Sequence, residues 1–179
     1  MGRLIAVVGP SGAGKDTLLD AARDSLRDAL FVQRVITRAA SPGTEGFEPV
    51  SEEEFAARDA AGAFAFTWPA HGLCYGIPVE ILPALEQGRM VIFNGSRGAL
   101  PRIREVCPQV EVILITAPRD VLAARLAARG RETADEVERR LDRADLDAPP
   151  GARVVVNDGS VDEGVARFLA ALTLSGEGG

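Results

Sequence analysis

The stretch GPSGAGKDT, residues 9 to 17, has the spacing of a loop that grips polyphosphate: Gly9, then Pro10, Ser11, Gly12 and Ala13, then Gly14 and Lys15. Glycines let successive backbone N–H groups turn inward toward an anion. A helix starting behind such a loop adds partial positive charge, and Lys15 offers an ammonium to the β- and γ-phosphates. A serine or threonine normally follows the lysine and holds magnesium; here Asp16 stands in that place and Thr17 comes next. Two readings stay open. Either the Asp16 carboxylate replaces the hydroxyl as a hard oxygen ligand, with Thr17 as the other donor to hand, or Asp16 only favours the positive end of the helix dipole. Lys15 is the one lysine among 20 basic residues. A compact ammonium reaches between phosphate oxygens where a broad planar guanidinium would not fit the same space.

A bound triphosphate needs something to receive its phosphoryl group. No N-K-x-D guanine signature occurs, which speaks against a GTPase. The strand MVIF ends in Asn94, followed by Gly95, Ser96 and Arg97, so the carboxylate that often supports magnesium from this neighbouring strand is missing. Arg125 and Arg129 lie four apart on one helical face, Gly130 breaks that helix, and Arg140 and Arg143 follow on the next. Such an arginine hairpin can close over a triphosphate, exclude water and neutralise transition-state charge, which makes Lys15, Arg125, Arg129 and Arg140 the candidate catalytic cations. The blander reading pairs them with Glu132, Asp135, Glu136 and Glu138 at the surface, each pair worth little. His71, the sole histidine, either makes a structural hydrogen bond in the Gly72 turn or touches substrate. Asn157 and Asp158 follow the last strand and either line an adenine pocket or form a plain turn.

These residues need a scaffold that brings strand ends and helix starts together. The runs LIAVV, MVIF, VEVILIT and ARVVV are short, branched and almost continuously apolar, as in strands buried on both faces of a parallel sheet. FVQRVIT, residues 31 to 37, reads as a fifth strand. Helical spacing covers residues 16 to 29, 51 to 61, 78 to 87, 97 to 106, 119 to 129, 133 to 146 and 161 to 173, and Ser51 with Glu54 forms a capping box. The alternation predicts an α/β sandwich. Residues 62 to 76, rich in glycine and aromatics, read as a small insertion on the edge of the sheet, with Phe64, Phe66 and Trp68 either its core or a stacking surface for ligand.

Length and composition bound the rest. With 179 residues and 46% hydrophobic content, one domain of ordinary size is expected, and the tail SGEGG has the composition of a disordered end. A net charge of -6 argues against broad nucleic-acid binding. No apolar run reaches the roughly 20 residues a membrane span needs, so a cytoplasmic enzyme is expected. Cys74 and Cys107 read as two reduced thiols, neither metal ligands nor a disulfide framework. Oligomeric state, including a homodimer, is left open.

The glycine loop, ITR at 36 to 38, SEEEF at 51 to 55, HGLCYG at 71 to 76, RLAARGRE at 125 to 132, RRLDRA at 139 to 144 and VNDG at 156 to 159 occur in the order and rough spacing of guanylate kinases. The chain resembles that family over nearly its whole length. The resemblance implies a P-loop NTPase three-layer sandwich of nucleoside-monophosphate-kinase type with a five-stranded parallel sheet. It further implies one kinase domain over residues 1 to 174, an acceptor lobe near 34 to 88 and a helical lid near 125 to 143. Its cofactors would be ATP and magnesium, and Arg38 and Tyr75 would hold the acceptor phosphate.

The base-reading parts differ from that family. Aligning Gly62 and His71 puts Phe66 where guanylate kinases carry a glutamate that hydrogen-bonds guanine, and a phenyl ring cannot accept those bonds. Asn94 and Ser96 replace two aspartates, and the loop from 43 to 51 is about two residues short. GPSGAGKDT, ITRAAS, FTWPAHGLCYG and FNGSRGALP together are similar to the ribose 1,5-bisphosphate phosphokinases, guanylate-kinase relatives of phosphonate breakdown. That similarity implies a small phosphorylated sugar as acceptor, contacted by Arg38, His71, Tyr75, Asn94, Ser96 and Arg97, and 5-phosphoribosyl 1-diphosphate as product. A guanylate or other nucleoside monophosphate kinase, and a scaffold without turnover, are the alternatives.

Overall fold

The computed structural model describes residues 2–39, 46–129, 137–139, 141–142 and 147–173. In chain order the elements are β1 (Arg3–Val8), α1 (Lys15–Ala22), β2 (Leu30–Val32), β3 (Arg34–Ile36), β4 (Phe47–Pro49), α2 (Glu52–Ala60), β5 (Phe64–Ala70), β6 (Leu73–Pro78), α3 (Ile81–Glu86), β7 (Met90–Asn94), α4 (Leu100–Val106), β8 (Glu111–Thr116), α5 (Arg119–Arg129), β9 (Arg153–Val156) and α6 (Val161–Thr173). Short 3-10 turns at Arg23–Ser25 and Arg97–Ala99 extend α1 and precede α4. Residues 137–139 and 141–142 are helical. None of the described helices is long and apolar enough to cross a membrane.

Five strands form the expected parallel sheet, in the order β2-β7-β1-β8-β9. Its central strands read as unbroken apolar runs because both their faces are covered: every residue of β1 from Ile5 to Val8 and of β7 from Val91 to Phe93 is buried. Such runs cannot alternate apolar and polar, since neither face meets water.

The fifth strand departs from expectation. FVQRVIT is two strands, interrupted at the exposed Gln33. Leu30–Val32 pairs in parallel with β7, completing the main sheet, whereas Arg34–Ile36 leaves it and pairs in parallel with β4 and antiparallel with β6. Residues 62 to 76 likewise do not sit on the edge of the main sheet. They form the hairpin β5–β6, part of a separate four-stranded sheet in the order β4-β3-β6-β5. An apolar run shows that a strand exists and is silent about which sheet it joins.

By internal contacts the chain divides into two compact units, one made of Met1–Ala6 with Arg27–Glu111, the other of Val7–Leu26 with Val112–Gly179. In the first unit, Val35, Val50, Phe55 and Phe64 pack one face of the four-stranded sheet against α2. Phe55 and Phe64 stack with centroids 4.7 Å apart. Ser51 caps α2, its hydroxyl accepting from the Glu54 N–H at 3.0 Å, while the Glu54 carboxylate turns away to Arg58 at 2.6 Å, so only half of a capping box forms. In the second unit, α6 carries the complete version: Ser160 Oγ accepts from Glu163 N–H and Glu163 Oε2 accepts from Ser160 N–H. That bonding holds the Glu163 carboxyl below its usual range.

The β5–β6 hairpin turns through two residues, His71 and Gly72, between the paired Ala70 and Leu73. Both have positive φ, 53° and 72°, the backbone of a type I′ turn matched to the twist of the strands. Histidine tolerates this conformation better than branched residues do. We expect His71→Gly to keep the melting temperature within about 2 °C and His71→Val to cost about 1–2 kcal/mol, both by thermal unfolding.

Candidate active site

In the second unit, β1 delivers the chain into residues 9 to 14, and Gly14 opens α1 with φ 86°, a left-handed geometry. A Cβ there would come within 2.6 Å of Asn157 Nδ2, so both conformation and space demand glycine. The loop's carbonyls are taken up one after another by side chains. Lys15 Nζ donates to Gly9 O at 2.8 Å and Pro10 O at 3.0 Å. Arg125 Nη1, from α5, donates to Gly12 O at 3.4 Å. Asn157 Nδ2, just past β9, donates to Ala13 O at 2.8 Å. With carbonyls tied back, the backbone N–H groups are the groups left to address an anion, as such a loop requires.

Asn157 is the residue whose place differs most from the adenine-pocket reading. It is 6% exposed, its own N–H donates to Thr116 O at 2.7 Å, and its amide braces the loop from beneath. Its neighbour Asp158 is exposed and takes Arg167 Nη1 at 2.6 Å; that guanidinium holds the carboxyl below its usual range, with Arg125 adding to the effect. Asp16 and Thr17 are exposed in the first turn of α1. Consecutive helical residues point about 100° apart, so only one of the pair can address a phosphate-bound cation. Their oxygens suit magnesium, which keeps waters and phosphate ligands and asks few donors of a protein. Among the described residues no cluster of three or more histidine, cysteine or acidic side chains gathers to hold an ion.

The lid arginines are only partly described. Arg125 faces the phosphate loop. Arg129 ends α5 in helical conformation, while Arg140, together with Gly130 and Arg143, falls outside the described residues. Glu138, read as a surface partner for these arginines, pairs with Arg119 at 2.5 Å, and Asp142 joins it at 3.1 Å.

In the first unit, the β3–β6 pairing positions the acceptor candidates. Thr37, 8% exposed, donates its N–H to Cys74 O at 3.0 Å and accepts the Cys74 N–H on its hydroxyl at 2.8 Å. This tie fixes where Arg38 leaves the sheet, beside Tyr75, the next residue along β6. Arg38 is exposed, its guanidinium 5.7 Å from the Phe47 ring centroid, and it borders a depression of about 440 Å³ lined also by Thr37, Val50, Ser51, Glu52 and Glu54. Tyr75 does not line that depression. Its ring stacks on Trp68, centroids 5.3 Å apart and planes 9° from parallel, and Arg34 lies over it at 5.9 Å. Phe66 and Trp68 are buried at 4% and 5% exposure, Phe66 against Phe93 at 5.5 Å, so these rings are core. The Trp68 indole N–H has no hydrogen-bond partner among the described residues.

Asn94 ends β7 with 8% exposure, Ser96 precedes the 3-10 turn, and Arg97 begins it in a half-buried setting that pulls its pKa down. His71 is exposed at the hairpin tip. Sequence reasoning missed Thr37 as a tie and Arg34 as a cation on the Tyr75 face, and it named Asn157 without its bracing bond. The motifs ITR and VNDG contain Thr37 and Asn157.

A guanylate kinase family model matches residues 1–173. The chain is 47% identical over 174 residues to the bifunctional ribose 1,5-bisphosphokinase-thymidine phosphorylase of Cupriavidus necator, covering 96% of this chain and 29% of that one. It is 48% identical over 180 residues to ribose 1,5-bisphosphate phosphokinase PhnN of Pseudomonas fluorescens, covering 96% and 95%. It thus spans under a third of the first relative's length and nearly all of the second's. Among solved structures, guanylate kinase from Anaplasma phagocytophilum aligns with a TM-score of 0.68 at 20% identity, over 99% of this chain and 87% of that one, a likeness of fold.

The Asn157 brace is open to test. Asn157→Ala strands the Ala13 carbonyl in a buried place, and we expect a loss of about 1–3 kcal/mol in urea unfolding. Calorimetry should show weaker ATP binding in the same variant.

Proposed function

Because the chain belongs to the guanylate kinase family, matched over residues 1–173, we propose that it moves the γ-phosphoryl group of ATP to the 1-phosphate of ribose 1,5-bisphosphate, yielding 5-phosphoribosyl 1-diphosphate and ADP. The observation that carries this reading is the pairing of a complete phosphate cradle with an acceptor lobe that cannot read a purine. At the place where the family's guanine-binding glutamate is expected, Phe66 is buried against Phe93. No carboxylate stands there to accept from guanine, and an unpaired purine edge would forfeit several kcal/mol of discrimination.

The chemistry follows from charge. The attacking atom is an oxygen of a phosphate already ionised near neutral pH. It forms the new P–O bond as the bond to the β–γ bridging oxygen breaks, and ADP leaves with the electron pair. No proton is abstracted, so no general base is required, and His71, exposed on its turn, has no part in the step. What the protein supplies is position and countercharge. Lys15 and the loop N–H groups hold the triphosphate, Arg125 stands at the loop with Arg129 and Arg140 as further lid cations, and Arg38 and Tyr75 hold the acceptor phosphate in a lobe spanning about 34 to 88. Asn94, Ser96 and Arg97 offer amide, hydroxyl and guanidinium in place of carboxylates, which suits a smaller and more anionic acceptor. Magnesium, held by Asp16 or Thr17, would shield β- and γ-phosphate charge when bound.

Assaying the purified full chain with ATP against ribose 1,5-bisphosphate and against GMP tests the reading. We expect sugar turnover, and a Lys15→Met variant should lose about 10²–10³-fold in kcat. Robust GMP turnover with no sugar activity would overturn the proposal. Titrating magnesium into Asp16→Asn separates the two readings of Asp16: a raised magnesium requirement assigns the ion to Asp16, and an unchanged one leaves Asp16 only its place at the helix dipole.

A further inference from the structure

Ribose 1,5-bisphosphate carries two phosphates, and Arg38 with Tyr75 accounts for one. On the functional reading above, the phosphate to be extended lies at Arg38 and Tyr75. The other is a second dianion. Withdrawn from water without countercharge it would oppose binding strongly.

The four-stranded sheet supplies a cation in a suitable place. Side chains alternate along β3, so Arg34 and Ile36 share a face, and Ile36 is paired with Tyr75 on β6. The Arg34 guanidinium accordingly lies 5.9 Å from the centroid of the Tyr75 ring. Trp68, paired with Tyr75 across the hairpin, stacks on the same ring. Arg34 is half-buried, and it stands on a rigid aromatic base rather than on a loop. A guanidinium so held loses little freedom when it binds, and its planar fork suits a phosphate bidentately. The tyrosyl hydroxyl proposed to hold the acceptor phosphate lies one C–O bond beyond the ring whose centroid Arg34 overlooks. Around it the same face offers Phe66 and Ile77, which have nothing to bond a base edge.

We propose that Arg34 binds the second phosphate of the acceptor, the 5-phosphate, and thereby sets the preference for a sugar bisphosphate over acceptors with one phosphate. The proposal rests on the functional reading above. In it, one tyrosine ring joins two anion subsites: its hydroxyl serves the reacting phosphate with Arg38, and its face orients the arginine that serves the other.

The test compares two acceptors, ribose 1,5-bisphosphate and ribose 1-phosphate, in the wild type and in Arg34→Gln, Arg34→Lys and Arg97→Gln. Arg34→Gln should lower kcat/KM for the bisphosphate about 10- to 100-fold while changing that for ribose 1-phosphate less than about threefold, and Arg34→Lys should recover part of the loss. Equal losses on both acceptors would reduce Arg34 to a structural clamp on Tyr75 and overturn the proposal. So would selectivity that survives Arg34→Gln and vanishes in Arg97→Gln. Calorimetry with ribose 5-phosphate, without ATP, gives a reading independent of turnover: binding should weaken at least about tenfold in Arg34→Gln. Wild type that binds ribose 5-phosphate through Arg34 yet fails to phosphorylate the bisphosphate would sink the functional reading alone, whereas binding undiminished in Arg34→Gln, or absent in wild type, would sink the Arg34 assignment.

Discussion

A loop that binds anions through its backbone must do something with its carbonyls, whose partial negative charge points at the same small space. Here four of them are restrained by side chains of the second unit. Lys15 takes Gly9 and Pro10, Arg125 takes Gly12, and Asn157 takes Ala13. The three side chains come from α1, α5 and the end of β9, so the loop's shape depends on strands and helices remote in sequence. An exposed loop of small residues would otherwise sample many conformations, and ordering it on binding would consume affinity. The two cations also bring charge to the loop while serving as its hydrogen-bond donors, and this joins the loop's stability to its electrostatics.

The proposed acceptor lobe is built by different means. It has a flat, stacked base of Trp68 and Tyr75, with Phe66 tilted against Trp68 and Phe93. Dispersion and burial fix these rings, and arginines are then hung from the strand beside them. Thr37 closes the β3–β6 pairing just before Arg38 departs. Phe66 is therefore more than a residue without a carboxylate. Its phenyl group is part of the platform on which the neighbouring groups are oriented.

How much of this the chain disclosed depends on how local each feature is. The phosphate loop, the helix behind it and the Ser51 cap are written in runs of a few residues, and periodicity sufficed for the buried strands. The break at Gln33 was not legible, because Leu30–Val32 and Arg34–Ile36 are equally apolar and differ only in their distant partners, β7 and β6. Asn157 read as a pocket or turn residue because its bond to Ala13 spans 144 positions. Arg34 was hidden among many arginines, since only the strand register reveals that it shares a face with Tyr75. Family resemblance carried what spacing could not, above all the proposed acceptor.

Lys15 being the only lysine of the sequence has a practical side. Every other basic side chain save one histidine is a guanidinium, inert toward mild acylating and aldehyde reagents. An amine-directed dye or a reversible aldehyde can thus reach a single side chain, and that side chain lies at the loop carbonyls. Labelling of that side chain, told apart from the terminal α-amine by peptide mapping, would act as a footprint of whether the cradle is occupied.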